Sequence, residues 1–249
     1  ILKGMENYYQ QENNRPKIHQ IRVQWKNLRI SLIQKKLVIF VIDVSGSMVG
    51  NRIRAAREGA LEIYENQIYP QDEVAIIVFD SRTEILLPPT QKGGNEAYIE
   101  KIIKNIRETP YQTAFYDALG ESFKFINQRI RDEQKGVVAL TDGVGNSSED
   151  FNLEERKYHG FWSFMNQEKR MGLNEYITEH LLSLNLIIIG IGKELIPEES
   201  KLRKLSEIND QGKYIPVRET YQIKKSIKKA FQKVSELMAQ INVEEFIEE

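Results

Sequence analysis

The sequence predicts a Rossmann-like α/β fold, in which helices flank a doubly wound, mostly parallel central sheet with one short antiparallel edge strand. Short runs of apolar residues recur along the 249 residues and have the length of strands that are buried on both faces. Stretches with apolar residues three or four positions apart lie between these runs, as in helices that bury one face. This alternation of strand and helix patterns is typical of parallel sheets with crossover helices.

The strands are predicted where apolar residues run continuously. Residues 83–87 directly follow the second run and predict the antiparallel edge strand of a hairpin. Pro216 lies in the last run, and it suits the edge of a sheet because proline cannot donate a ladder hydrogen bond. The five principal runs are residues 37–42, 74–79, 137–140, 186–189 and 213–217.

Five stripes of apolar residues predict helices. Each stripe has the spacing of side chains on one helix face, and that face is expected to pack on the sheet. The longest stripe lies near the end of the chain and predicts a long final helix. The stripes are Ile53, Ala56, Ala60 and Ile63; Tyr98, Ile102 and Ile106; Phe115, Leu119, Phe123, Ile126 and Ile130; Leu202, Leu205 and Ile208; and Ile223, Ile227, Phe231, Val234, Met238 and Ile241.

The two ends of the chain are predicted to lie outside the principal domain. Residues 1–35 read as a polar N-terminal arm, in which Ile21 and Val23 begin an alternating pattern. That pattern predicts either a short β-hairpin or an extended arm on the domain surface. The principal domain is predicted over residues 36–240, with an irregular insertion at about 147–172, and an acidic tail follows over 241–249.

Composition and charge exclude several classes of protein. The 35 Lys and Arg against 36 Asp and Glu give a net charge of −1, whereas nucleic-acid binders need a positive excess to contact phosphates. No apolar run approaches the roughly 18 residues that a transmembrane helix requires. The absence of cysteine excludes disulfides and thiolate metal sites.

The expected location is cytoplasmic, that is, intracellular. The chain has no cysteine and does not open with an apolar leader, and both features fit a reducing compartment. Because the chain begins with Ile1 rather than Met, we expect a fragment or a processed form, and secretion stays open as the alternative.

Oxygen-bearing side chains follow two of the predicted strands. Asp43, Ser45 and Ser47 come directly after the first run, and Asp142 follows the third. Ligands of open α/β sheets bind beyond the carboxyl ends of the strands, and alternate positions of an extended loop point the same way. A hard, all-oxygen set without His or Cys suits Mg²⁺ or Mn²⁺. The sequence therefore predicts a divalent-cation site at this edge of the sheet.

Each of these residues also has an interpretation without a metal. Asp43 and Asp142 are of a type that caps loops and helix N-termini. Asp80, after the second run, is either an outer-sphere group near the metal or a turn residue, with the turn slightly favoured. Asp117 is interpreted as a surface or packing residue of its helix rather than as a ligand.

Residues 40–48, Phe-Val-Ile-Asp-Val-Ser-Gly-Ser-Met, resemble the D-x-S-x-S signature of von Willebrand factor type A (vWA) domains. Their metal-ion-dependent adhesion site (MIDAS) combines this triplet with a threonine from a later loop and an aspartate from a further strand end. The resemblance implies that Thr113, in Thr-Ala-Phe-Tyr-Asp-Ala-Leu, is the threonine and that Asp142, in Leu-Thr-Asp-Gly, is the aspartate. The implied metal ligands are Asp43, Ser45, Ser47, Thr113 and Asp142.

The family resemblance also implies a function. A MIDAS Mg²⁺ binds a Glu or Asp of a partner protein, so the chain is expected to be a metal-dependent protein–protein interaction module. The alternative is an intracellular scaffold subunit of a larger assembly, such as one with an ATPase, in which the metal site is structural or vestigial. Residues 110–112, Pro-Tyr-Gln, replace the glycines that are frequent there in the family, and this difference bears on ligand preference.

An enzyme is the class that the motifs disfavour. The three histidines, His19, His159 and His180, all lie outside the motifs. No phosphate-binding G-x-x-x-x-G-K-[ST] loop occurs, and residues 45–47 lack the glycine frame of a nucleophile elbow. We therefore expect a binding domain without catalytic residues.

Overall fold

The computed structural model describes the greater part of the principal domain. The chain divides into two units between residues 34 and 35. The predicted hairpin of the N-terminal arm, most of the 147–172 insertion and the end of the acidic tail lie outside the described residues. The described residues are 35–128, 134–143, 147–148, 151–152, 171–181, 184–209, 212–218 and 222–244.

The strands of the described residues form one large sheet and one small pair. Each principal apolar run lies within one strand of the large sheet. Helices cover both faces of this sheet, so a strand with consecutive apolar residues buries side chains on both sides. The strands are β1 (Lys36–Asp43), β2 (Glu73–Phe79), β3 (Thr83–Gln91), β4 (Gln134–Thr141), β5 (Phe151–Asn152), β6 (Met171–Gly172), β7 (Leu184–Ile191) and β8 (Lys213–Val217).

The large sheet has the strand order β3-β2-β1-β4-β7-β8, and β5 pairs with β6 separately. All neighbouring strands of the large sheet run parallel except β2 and β3, which are antiparallel. The predicted sheet, with its single antiparallel edge strand, is therefore confirmed. β8 is the other edge strand, as the position of Pro216 predicts.

The antiparallel edge strand β3 is longer than predicted. It extends to Gln91, beyond the predicted end at residue 87, although it contains Pro88 and Pro89. The register with β2 shifts between Val74 and Ile76, opposite these prolines. A bulged edge strand tolerates prolines because their missing N–H groups face away from the ladder.

Six helices lie in the described residues, and two short 3₁₀ turns (Gly46–Met48 and Ile196–Glu198) accompany them. Five of the helices correspond to the five predicted stripes. The fourth in chain order is not predicted, because it directly follows the irregular insertion. The helices are α1 (Asn51–Gln67), α2 (Glu96–Lys104), α3 (Phe115–Asn127), α4 (Leu173–His180), α5 (Glu199–Ser206) and α6 (Ile223–Glu244).

The helices cover both faces of the large sheet. Phe40 and Ile42 of β1 belong to one apolar core, together with residues of α1, α2 and α6. Ile39 and Val41 belong to a second core, together with residues of α3, α4 and α5. Alternate residues of one strand thus enter different cores, which is the doubly wound arrangement that the sequence predicts. No helix in the described part of the chain is long and apolar enough to cross a membrane.

The prediction of the buried face of α2 is wrong, because the buried residues lie one position later in the sequence than predicted. The stripe of Tyr98, Ile102 and Ile106 predicts that these side chains are buried together, but the helix buries Ile99 and Ile103 and leaves Tyr98 exposed. Ile106 is also buried, but it lies beyond the end of the helix at Lys104. Apolar residues on adjacent faces of a short helix fit two stripes equally well, so spacing alone does not decide between them.

The final helix α6 packs mainly along α1, and it also contacts β7 and β8. Ile227, Phe231 and Val234 of its predicted stripe are fully buried. A Cβ atom at Gly59 of α1 would collide with the Phe231 ring. The absence of a side chain at Gly59 therefore allows the two helices to approach closely.

Candidate metal centre

The candidate site lies where the order of the strands reverses. The chain passes from β1 to β2 on one side of β1 and later returns to β4 on its other side. Asp43 is the last residue of β1, and Asp142 directly follows β4. The backbone N–H of Asp142 lies 3.4 Å from the Oδ2 atom of Asp43. The two predicted aspartates therefore meet at the switch point, where open α/β sheets bind ligands.

The loop after β1 turns back on itself and brings its hydroxyl groups together. The Asp43 Oδ1 atom accepts a 2.9 Å hydrogen bond from the backbone N–H of Ser45. The Ser45 and Ser47 hydroxyl oxygens lie 3.1 Å apart. Met48 anchors the following 3₁₀ turn because its side chain is fully buried. The loop is therefore held from both ends.

A hydrogen bond joins this loop to the end of β4. The Ser47 hydroxyl donates to the Asp142 Oδ1 atom over 2.6 Å. Asp43, Ser45 and Asp142 are buried, whereas Ser47 is exposed. Four of the five predicted ligands thus form one connected set of oxygen atoms, which is open to solvent on the side of Ser47.

Thr113, the fifth predicted ligand, approaches the set from another side. It precedes α3, and its side chain is buried. A Cβ atom at Gly143 would lie 3.4 Å from the Thr113 Oγ1 atom, so the threonine hydroxyl lies beside the residue that follows Asp142. Thr113 thus borders the set, and it stands outside the chain of hydrogen bonds that joins the other four residues.

Asp80 and Asp117, the two aspartates that the sequence leaves outside the ligand set, have hydrogen-bond partners within the protein. The Asp80 Oδ2 atom accepts a 2.8 Å hydrogen bond from the Thr109 hydroxyl, and its Oδ1 atom accepts one of 2.8 Å from the Arg82 N–H. Asp80 therefore holds the β2–β3 turn and the loop before α3, which supports its interpretation as a turn residue. The Asp117 Oδ1 atom accepts a 2.9 Å hydrogen bond from the Phe151 N–H, which supports a packing role.

Two residues of the site are not predicted by the sequence patterns. The Thr141 hydroxyl lies 2.8 Å from the Asp43 Oδ2 atom. The Arg52 Nη1 atom lies 2.5 Å from the Asp142 Oδ2 atom and 3.2 Å from the Ser47 carbonyl oxygen. A positively charged residue five positions after Ser47 could have been noticed in the sequence as a group near the site. Only the fold shows that Arg52 contacts Asp142 rather than Asp43.

The electrostatics of the site favour an additional cation. Burial, and then the nearby charge of Asp142, raise the pKa of Asp43 to about 6. Hydrogen bonds from Ser45 and Thr141 oppose this shift in part. Arg52 contributes one positive charge against the two carboxylates. Among the described residues, the charges of the site therefore leave a buried negative charge, which a bound cation would compensate.

The residues of this site fit a hard divalent cation. Its donors are two carboxylates and neutral hydroxyls, and Mg²⁺ and Mn²⁺ prefer such oxygen ligands. Within the described residues, no three or more His, Cys, Asp or Glu side chains form a metal-binding group. Any metal held here would therefore depend on the serine and threonine hydroxyls as well as on Asp43 and Asp142.

Comparison with known proteins supports a vWA domain in this chain. Residues 38–144 match the family model of the von Willebrand factor type A domain, and they include every predicted ligand. A vWA protein from Catenulispora acidiphila has a similar fold, with a TM-score of 0.58 and 16% sequence identity over 81% of this chain and 42% of that chain. The SpRpn10 VWA domain aligns with a TM-score of 0.56 and 11% identity, over 80% of this chain and 95% of that chain. Both likenesses concern the fold.

Two groups of longer proteins contain a related segment. The magnesium-chelatase 67 kDa subunit of Chlorobaculum tepidum is 39% identical over 111 residues, which are 44% of this chain and 18% of that protein. The inter-alpha-trypsin inhibitor heavy chain H3 of Mus musculus is 30% identical over 124 residues, which are 46% of this chain and 14% of that protein. The matches thus span less than a fifth of these relatives.

Proposed function

We propose that this domain is a metal-dependent protein–protein interaction module, in which a Mg²⁺ or Mn²⁺ ion binds a Glu or Asp of a partner. The observation that carries the proposal is the connected set of oxygen atoms at the switch point, with two carboxylates and one positive side chain. The proposed metal ligands are Asp43, Ser45, Ser47, Thr113 and Asp142.

The balance of charge in the site favours an acidic ligand. Asp43 and Asp142 supply the negative charge that attracts a divalent cation, and the hydroxyl ligands add none. A bound Mg²⁺ would act as a Lewis acid that retains exchangeable positions for an oxygen from outside. Ser47 lies on the exposed side, so a partner's carboxylate would enter there.

The rim of the site favours a partner with apolar groups beside its acidic residue. Val49 and Tyr111 are large side chains that are 59% and 60% exposed. Val49 directly follows the turn that holds Ser47, and the Tyr111 carbonyl accepts a 3.1 Å hydrogen bond from the Gly46 N–H. The two side chains therefore stand on the two loops that border the site, and aromatic residues are common in binding surfaces.

We also propose that the site binds rather than catalyses. The Ser45 and Ser47 hydroxyls are engaged with each other and with Asp142, and no histidine lies in the motifs to activate them. A nucleophilic serine needs a strong base, whereas the Asp142 carboxylate that accepts from Ser47 is paired with Arg52 and is therefore a weak base.

A second candidate function is that of a structural subunit. Its support is the similarity to the magnesium-chelatase 67 kDa subunit, which by its name belongs to a larger assembly. In this alternative the metal stabilises the domain without contacting a partner. Binding to the assembly would then survive a chelator as long as the domain stays folded.

A peptide selection tests the interaction proposal. Random peptides displayed on phage are bound to the domain in Mg²⁺ and eluted with EDTA, with Asp142→Ala as the control domain. We expect enriched peptides that contain an essential Glu or Asp, and replacement of this residue by Gln or Asn should abolish binding. Peptides that bind equally well in EDTA, or equally well to the control, would contradict the proposal.

The substitution Thr113→Val tests the fifth ligand. Valine keeps the shape of the buried side chain and removes the hydroxyl, so Mg²⁺ affinity should fall by about tenfold. The free energy of unfolding in chelator should change by no more than about 1.5 kcal/mol, the net contribution of one hydroxyl hydrogen bond, because valine leaves no cavity. Calorimetric titration and urea unfolding measure the two quantities. Unchanged affinity would remove Thr113 from the ligand set.

A further inference from the structure

Arg52 occupies a position that helix stability does not explain. It is the second residue of α1, where the N-terminal end of the helix dipole disfavours a cation. The first turn of α1 contains no acidic residue that would compensate for this. The guanidinium nevertheless lies inward, with only 16% of the side chain exposed. Its contacts with Asp142 and with the Ser47 carbonyl oxygen hold it in this position.

The contact engages the carboxylate that the proposed metal site requires. The Asp142 Oδ2 atom accepts from Arg52 over 2.5 Å, and its Oδ1 atom accepts from the Ser47 hydroxyl over 2.6 Å. The Asp142 side chain is only 1% exposed, so this ion pair is screened little by solvent. Both oxygens of Asp142 are therefore held by groups of the protein itself.

Arg52 also reaches the second component of the site. Its Nη1 atom lies 3.2 Å from the carbonyl oxygen of Ser47, so it bridges the loop after β1 and the end of β4. Asp43, by contrast, has neutral hydrogen-bond donors in Ser45 and Thr141. The guanidinium thus compensates one carboxylate and leaves the other to attract a cation.

We propose that Arg52 is an internal counter-cation that competes with the divalent cation for Asp142. This inference rests on the proposed metal-binding function. Two cations that share one buried carboxylate repel each other, so metal binding requires the Arg52–Asp142 pair to open or weaken. The pair stabilises the metal-free domain and lowers its affinity for metal, and it thereby sets the metal concentration at which the site fills.

The substitution Arg52→Met tests the competition, with Arg54→Met as a matched control. Methionine keeps an unbranched apolar side chain and removes the charge. Arg54 lies two residues further along the same helix and is exposed. We expect Arg52→Met to bind Mg²⁺ about tenfold more tightly than the wild type in calorimetry, which corresponds to the loss of a moderate competing interaction. Arg54→Met should stay within about twofold of the wild type.

A second readout concerns the metal-free domain. In EDTA, Arg52→Met should melt at a lower temperature than the wild type, because the substitution leaves the buried Asp142 carboxylate without a positive charge beside it. Added Mg²⁺ should therefore raise the melting temperature of Arg52→Met more than that of the wild type or of Arg54→Met. If Arg52→Met does not fold in EDTA, Arg52→Gln removes the charge, keeps a donor for Asp142 and carries the same expectation.

The outcomes separate this inference from the proposed function. Equal or weaker Mg²⁺ affinity in Arg52→Met and Arg52→Gln, with normal binding by the wild type, would overturn the competition and leave the metal site intact. Absence of Mg²⁺ binding in the wild type and in all variants would overturn both proposals. Tighter binding by Arg54→Met of the same size would show a general charge effect and would also overturn the competition.

Discussion

Replacement of Asp43 by asparagine should weaken Mg²⁺ binding by about a hundredfold and at the same time stabilise the metal-free protein. The carboxylate is fully buried, and its pKa is raised to about 6 by burial and by Asp142. One pKa unit corresponds to about 1.4 kcal/mol. The ionised Asp43 carboxylate therefore lowers the free energy of unfolding of the metal-free protein by roughly 1–3 kcal/mol at neutral pH. Asparagine removes this destabilising charge, and it also removes the carboxylate that would bind the metal.

The two short hydrogen bonds of Asp43 can be kept by the asparagine, and only the long 3.4 Å contact from the Asp142 N–H to the Oδ2 position is lost. Its side-chain carbonyl can accept from the Ser45 N–H, as the Asp43 Oδ1 atom does. Its amide group then needs an acceptor where Asp43 Oδ2 now meets the Thr141 hydroxyl. The Thr141 hydroxyl lies 2.5 Å from the carbonyl oxygen of Gly143, so it can direct its proton there and accept from the amide.

The pH dependence of stability follows from the raised pKa of Asp43. Between the ordinary pKa of 3.8 and about 6, the folded protein binds a proton at Asp43 that the unfolded chain has lost. The stability contribution of this group is therefore fully present below 3.8 and is lost as the pH rises through about 6. In metal-free buffer, the free energy of unfolding of Asp43→Asn should exceed that of the wild type by more at about pH 7.5 than at about pH 4.5.

Urea unfolding without metal and calorimetric Mg²⁺ titration measure both effects. Glu84→Gln is the control, because it makes the same charge change on the exposed edge strand β3. It should leave the stability within about 0.5 kcal/mol of the wild type and the Mg²⁺ affinity within about twofold. A metal-free Asp43→Asn protein that is less stable than the wild type at neutral pH would show that the Asp43 charge is well compensated without metal.

The substitution Phe231→Ala should lower the free energy of unfolding by about 3–5 kcal/mol. The Phe231 ring is only 1% exposed and packs where Gly59 leaves room between α6 and α1. Alanine would leave a cavity between α1 and α6, and the helices could close it only by moving closer to each other. Urea unfolding measures the loss.

Two variants in the same helix serve as controls for this cavity. Phe231→Leu fills most of the space and should lose much less stability than Phe231→Ala. Gln232→Ala lies on the exposed side of α6 and should stay within about 0.5 kcal/mol of the wild type. A loss below about 1 kcal/mol in Phe231→Ala would mean that α6 contributes little to the core.

The sheet and much of the candidate site follow from local sequence patterns. The run of apolar residues in β1 is buried on both faces, and the position of Asp43 at its end follows from where that run stops. Topology then places Asp142 beside it, because parallel strands align their carboxyl ends. Local pattern and general topology together therefore suffice to place the two carboxylates.

Other features depend on contacts that no local pattern contains. Arg52 and Asp142 are 90 positions apart, and their ion pair exists only because α1 begins beside the end of β4. The buried face of α2 is set by packing, since both Ile99 and Ile102 offer apolar surface. α4 directly follows the irregular insertion, whose scattered aromatic residues obscure the helical spacing of Leu173, Tyr176 and Ile177.

Electron paramagnetic resonance during a Mn²⁺ titration decides whether the domain holds a divalent cation, because the signal of free Mn²⁺ reports how much ion the protein has bound. We expect the wild type to bind Mn²⁺ at a single site, Mg²⁺ to displace it, and Asp142→Ala to abolish the binding while circular dichroism shows an intact fold. A wild type that leaves Mn²⁺ free, or an Asp142→Ala variant that binds Mn²⁺ as the wild type does, would contradict it.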